Sequence, residues 1–87
     1  MTIKQIKNIV RKDVPIYYRR LFSGTIEVEL IGKDLERNID FTIETLPTGM
    51  NQVSVTIADP IDYPLVPFMR EVKQFITALD EAGALPG

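Results

Sequence analysis

Three short runs of strict apolar–polar alternation constrain this chain more than anything else in it. Ile26, Val28 and Leu30, then Ile39, Phe41 and Ile43, then Val53, Val55 and Ile57 are each spaced two residues apart. That is the period at which a pleated strand sends its side chains to one face. Between and beside them stand Thr25, Glu27, Glu29, Asp40, Thr42, Glu44, Gln52, Ser54 and Thr56. This second set is polar and largely acidic, as expected of a sheet wetted on one side. Gly32-Lys33-Asp34 and Pro47-Thr48-Gly49 interrupt the runs at short spacing, with glycines where turns tolerate positive φ. An antiparallel meander is predicted over residues 23–58.

Beyond the punctuated stretch Asp59-Pro60-Ile61-Asp62-Tyr63-Pro64 the period changes. Leu65, Phe68, Met69, Val72, Ile76 and Leu79 recur at three- and four-residue intervals, which predicts an amphipathic helix with one buried face. Pro67 belongs in its first turn, where a missing donor costs little, and Gly83 just past its end. At the other terminus Thr2 and Gln5 have the spacing of a capping box. Ile3, Ile6 and Val10 fall on one side of a helical wheel, with Lys4, Lys7, Asn8 and Arg11 opposite. An N-terminal helix ending at Pro15 is therefore predicted, because proline disfavours helical geometry in the residue before it.

The resulting fold class is α+β: a two-layer sandwich with an N-terminal helix, an antiparallel meander of three to four strands, and a C-terminal helix packed on one face. Residues 1–87 make a single small domain. Width argues for a fourth strand, since three strands span about 14 Å and two adjacent helices about 20 Å. Residues 16–22, with Ile16, Tyr18 and Phe22 in rough alternation, are the expected intrachain source. Edge pairing with a second subunit is the other source.

Catalytic chemistry finds few footholds. The 87 residues include no histidine and no cysteine, which removes the side chain best suited to proton transfer near neutral pH, the commonest zinc ligand, and every thiol nucleophile. The serines, Ser23 and Ser54, lie in no nucleophile-elbow context. The glycines are dispersed, without the spacing of a phosphate-cradling loop, so no cofactor and no small-molecule substrate is expected. Asp59 and Asp62 can be imagined around Mg²⁺, but aspartates beside prolines more often accept backbone donors in turns, and Asp62 is placed to help cap the final helix. Glu27, Glu29, Asp40 and Glu44 read more simply as a solvated face than as a cation site. No apolar run approaches the roughly 20 residues of a membrane span, and the start of the chain lacks a signal-peptide layout. A cytoplasmic, non-enzymatic protein is expected.

One feature still calls for a function. Net charge is −2, yet residues 1–20 hold Lys4, Lys7, Arg11, Lys12, Arg19 and Arg20 against Asp13, a local excess of +5 in front of a remainder of −7. Lys4, Lys7, Arg11, Lys12, Tyr17, Tyr18, Arg19 and Arg20 are accordingly the candidate interaction residues. They are expected to meet an acidic surface on a protein partner or a second copy of this chain, with Tyr17, Tyr18, Leu21 and Phe22 as apolar anchors. The expected function is a protein–protein interaction module, self-associating or a subunit of a larger assembly. The alternative is weak, non-specific nucleic-acid binding through the same arm, cations on phosphates and tyrosines on bases. A membrane-surface role is not expected, because Ile3, Ile6 and Val10 serve better as cover for the sheet.

Overall fold

A computed structural model describes all of residues 1–87 and contains five elements in chain order: β1 (Thr2–Lys12), β2 (Arg19–Leu30), β3 (Lys33–Thr45), β4 (Asn51–Ile57) and α1 (Leu65–Glu81). The strands form one antiparallel sheet in the order β1-β2-β3-β4, and α1 packs on one of its faces. The α+β class, the meander and the C-terminal helix are as the sequence predicts. The N-terminal helix is not: that segment is the fourth strand, paired along β2 from Thr2↔Glu29 to Lys12↔Leu21.

The physical reason lies in two irregularities of β1. Its register with β2 slips between Ile3 and Gln5 and again between Lys7 and Val10. Each slip is a bulge, which inserts a residue into one strand and lengthens the side-chain repeat there. Ile3, Ile6 and Ile9 therefore reach the core at intervals of three, while Val10 turns outward and is 59% exposed. A bulged strand thus reproduces the i, i+3 spacing that a helix would show. Asn8 takes the left-handed backbone conformation of the second bulge, with φ 55°, a region asparagine tolerates better than most residues. Opposite it sits Gly24. A Cβ there would stand 3.2 Å from Ile6 Cγ2, 3.3 Å from Ile9 Cγ1 and 3.3 Å from the Lys7 carbonyl oxygen, so the missing side chain makes room for both isoleucines.

Residues 16–22 form no separate strand. Residues 13–18 connect β1 to β2, and Arg19 to Phe22 are simply the start of β2. The turn between β2 and β3 comes one step earlier than predicted, at Ile31 and Gly32, whose φ values of 51° and 72° make a tight two-residue hairpin. Lys33 and Asp34 already belong to β3. The loop between β3 and β4 is as expected: the Gly49 amide donates to the Leu46 carbonyl at 2.8 Å, and Gly49 takes φ 87°.

The core is continuous. Phe22 and Phe41 are register partners and stack at 5.0 Å with ring planes 17° apart. Around them Ile26, Val28, Ile39 and Ile43 from the sheet meet Phe68, Val72 and Ile76 from α1, all buried. Burial of each helix side chain contributes on the order of 1.5–3 kcal/mol before ordering entropy is set against it. The backbone of α1 comes nearest to β4 and β1, the two outer strands. The twisted sheet therefore curls around the helix, which is how a single helix about 10 Å wide covers four strands spanning about 19 Å.

Helix termini follow partly from sequence. Pro67 lies in the first turn, but the cap is Pro64, and no side chain bonds to the exposed amides, so Asp62 does not cap the helix. At the other end the Gly83 amide donates to the Asp80 carbonyl at 3.0 Å and the Ala84 amide to the Leu79 carbonyl at 2.9 Å. With Gly83 at φ 67°, this is a Schellman ending. No helix is long and apolar enough to cross a membrane.

Candidate interaction surface

The cations of the N-terminal arm are placed by the strand that carries them. On the face away from α1, Lys4 Nζ lies 3.2 Å from Asp34 Oδ2 and 3.9 Å from Glu27 Oε1. Lys7 donates to Glu36 and lies 3.6 Å from Glu27 Oε2, Lys12 is 3.4 Å from Asp40 Oδ1, and Arg19 Nη2 is 2.7 Å from Glu44 Oε1. Hydrogen bonds to Asp34, Glu36 and Glu44 hold Lys4, Lys7 and Arg19 protonated beyond their ordinary ranges. The acidic sheet face expected to meet the basic arm of another molecule therefore meets its own.

That pairing answers a local need. In the β2–β3 ladder Glu27 stands directly opposite Glu36, and Glu29 opposite Asp34. Like charges directly opposed across strands are destabilising. Lys7 reaches both members of the first pair, and Lys4 reaches Glu27 and Asp34. A strand beside β2 is where such cations must be, whereas a helix on the other face would leave the carboxylates uncompensated.

Arg20 faces the other way. Its guanidinium forks onto Asp80 of α1, Nη1 to Oδ1 at 2.8 Å and Nη2 to Oδ2 at 3.1 Å, with side-chain exposures of 28% and 18%. The hydrogen bond from Arg20 holds the Asp80 carboxyl below its ordinary value despite partial burial. Asp80 lies in the last turn of α1, which contains no basic residue. Arg20 supplies from the sheet the positive charge that a helix C-terminus favours.

Of the six candidate cations, Arg11 alone has no carboxylate within ion-pair distance. Among the expected anchors Phe22 is in the core at 1% exposure and Leu21 is half-buried, whereas Tyr17 is 98% and Tyr18 48% exposed in the loop after β1. Their rings meet edge to face at 6.0 Å. Elsewhere no three acidic residues converge to hold a metal ion; Asp59 and Asp62 are exposed on the connection before α1.

A feature not singled out from sequence is the outer edge of β4. The Leu46 amide donates to the Met50 carbonyl and the Ala58 amide to the Asn38 carbonyl, so the even-numbered residues of β4 bond to β3. In an antiparallel ladder the alternate residues then aim their backbone groups away from it. Those are Asn51, Val53, Val55 and Ile57, and no backbone hydrogen bond outside the β3 ladder involves any of them. Sheet edges are ordinarily guarded by lysine, proline or bulges. The edge formed by β1 has two bulges and the basic residues Lys4, Lys7, Arg11 and Lys12, while Asn51-Gln52-Val53-Ser54-Val55-Thr56-Ile57 has no charge, no proline and no register shift. The sequence signal is an uncharged strand at one end of a meander, but which strand is outermost depends on where the N-terminal segment goes.

Among known protein families, residues 1–81 match the model of the BB-0187 family, whose description names no activity, ligand or partner. No curated protein and no solved structure matches the chain.

Proposed function

We propose that this chain, which belongs to the BB-0187 family, is a non-enzymatic, cytoplasmic protein–protein interaction module that works by strand addition, self-associating or joining a larger assembly. The observation that carries this reading is the unguarded outer edge of β4. An extended polypeptide laid along it completes hydrogen bonds to Asn51, Val53, Val55 and Ile57 and continues the alternation of Val53, Val55 and Ile57 over the core. A non-enzymatic role is supported by a sequence without histidine or cysteine and with dispersed glycines.

The basic arm takes a different part in this reading. Five of its six cations already face carboxylates of the same chain, so a partner's acidic surface, or the phosphates of the nucleic-acid alternative, would have to compete for them. Recognition falls instead to backbone groups that have no competitor. The arm's remaining contribution is the exposed Tyr17–Tyr18 loop.

Light scattering after size exclusion tests the proposal. Association through β4 gives a species above the 9.9 kDa of one chain that persists at high salt, because backbone hydrogen bonds and apolar contacts are little screened. Val55→Pro should return it to monomer, since this residue's amide points away from β3 and proline is tolerated at a strand edge. A complex that dissociates with salt and ignores Val55→Pro would instead assign association to the charged arm.

A further inference from the structure

We infer that the occupant of the β4 edge is the β4 strand of a second copy, paired antiparallel about a twofold axis passing beside Ser54. This inference rests on the strand-addition reading above and names its partner.

Closed pairs of identical chains most often form about a twofold, which requires a surface complementary to itself. Register decides whether β4 meets that requirement. The outward-facing residues are Asn51, Val53, Val55 and Ile57, and an axis at Ser54 sets Asn51 opposite Ile57 of the second copy and Val53 opposite its Val55. Each such pair exchanges two backbone hydrogen bonds. The whole of β4, Asn51–Ile57, is then used with no overhang. On the face over the core, valine meets valine; on the other face Ser54 meets its own symmetry mate and Gln52 meets Thr56. No charge is brought against a like charge, because the strand has none.

The other sheet edge fails each of these conditions. Pairing β1 with itself would bring Lys4, Lys7, Arg11 and Lys12 of two copies together, and its two bulges interrupt any continuous ladder. Joining β1 of one copy to β4 of the next is a head-to-tail contact, which leaves an open edge at each end and extends without limit. The β4 twofold closes: the two remaining edges are the guarded β1 strands, and the four-stranded sheets merge into one.

The test exploits a chain without cysteine. Ser54→Cys introduces a single thiol on the exposed face, at a position where the axis places its symmetry mate directly opposite. Non-hydrogen-bonded antiparallel pairs have Cα atoms about 4.5 Å apart, within disulfide reach. Gln52→Cys is equally exposed but lies about 13 Å from its own mate, four strand positions away, and should cross-link only when mixed with Thr56→Cys. Under mild oxidation Ser54→Cys is expected to give about tenfold more covalent dimer than Gln52→Cys alone, since only the former satisfies disulfide geometry. The Gln52→Cys and Thr56→Cys mixture should match Ser54→Cys. A dimer by light scattering in which Ser54→Cys cross-links no better than Gln52→Cys overturns the register and leaves strand addition standing. A chain that is monomeric at every concentration overturns both.

Discussion

Arg20 is the residue whose environment departs furthest from what its sequence neighbours suggest. Beside Arg19 it belongs to a basic patch, but a strand sends consecutive side chains to opposite faces, so Arg19 joins the acidic outer face while Arg20 reaches Asp80. The depressed Asp80 carboxyl links this pair to acid stability. A carboxyl held below its ordinary value contributes stability at neutral pH that is lost as pH falls through the depressed value. Asp80→Asn should therefore lower stability at pH 7 by about 0.5–1 kcal/mol, a modest figure because removing a carboxylate from a helix C-terminus also relieves an unfavourable dipole interaction. Thermal melts of the two proteins should converge below about pH 3, where the native carboxyl is itself protonated. A constant difference from pH 7 to pH 2 would deny the pair its role. At this scale the sequence discloses residue types and turn positions but not partners: sixty residues separate Arg20 from Asp80, and no local pattern spans that distance.

At the scale of elements, β2, β3, β4 and α1 are legible because their apolar periods are clean. The first element is not, because bulges at Lys4 and at Asn8-Ile9 give a strand the spacing of a helix. Two signals in the same segment point the other way. Ile3, Ile6, Ile9 and Val10 are β-branched, a composition that favours strands. The surplus of carboxylates on the alternating faces of the central strands also demands a cationic neighbour in the sheet plane. The role of β1 as a charge-matching edge gives an element-level prediction. Replacing Lys4 and Lys7 together by glutamine leaves Glu27 opposite Glu36 and Glu29 opposite Asp34 without counter-charge. The melting temperature should fall, and the loss should shrink as salt screens the carboxylates. If β1 were a helix on the far face, the double variant would melt as the parent does at every salt concentration.

For the whole molecule, the lopsided distribution of charge along the chain is resolved internally. A +5 leader and a −7 body form one sheet face on which each neutralises the other, so the asymmetry is a folding device that aligns β1 on β2. Placing β1 at one end of the meander makes β4 the opposite end, and the resulting molecule, 40 × 24 × 23 Å, has one guarded edge and one open edge. The sheet does have the fourth strand that its width requires, but the leader supplies it rather than residues 16–22, and a leader with helical spacing conceals that from sequence. Function then turns on whether the open edge is covered in solution. Residue-resolved amide exchange across a dilution series measures this directly. Gln52, Ser54 and Thr56 bond to β3 and should exchange slowly at every concentration, while Val53, Val55 and Ile57 should be equally slow in concentrated solution and become fast on dilution. Fast exchange at Val53, Val55 and Ile57 throughout, with Ser54 and Thr56 protected, would mean that the edge stays open and that strand addition between copies does not occur.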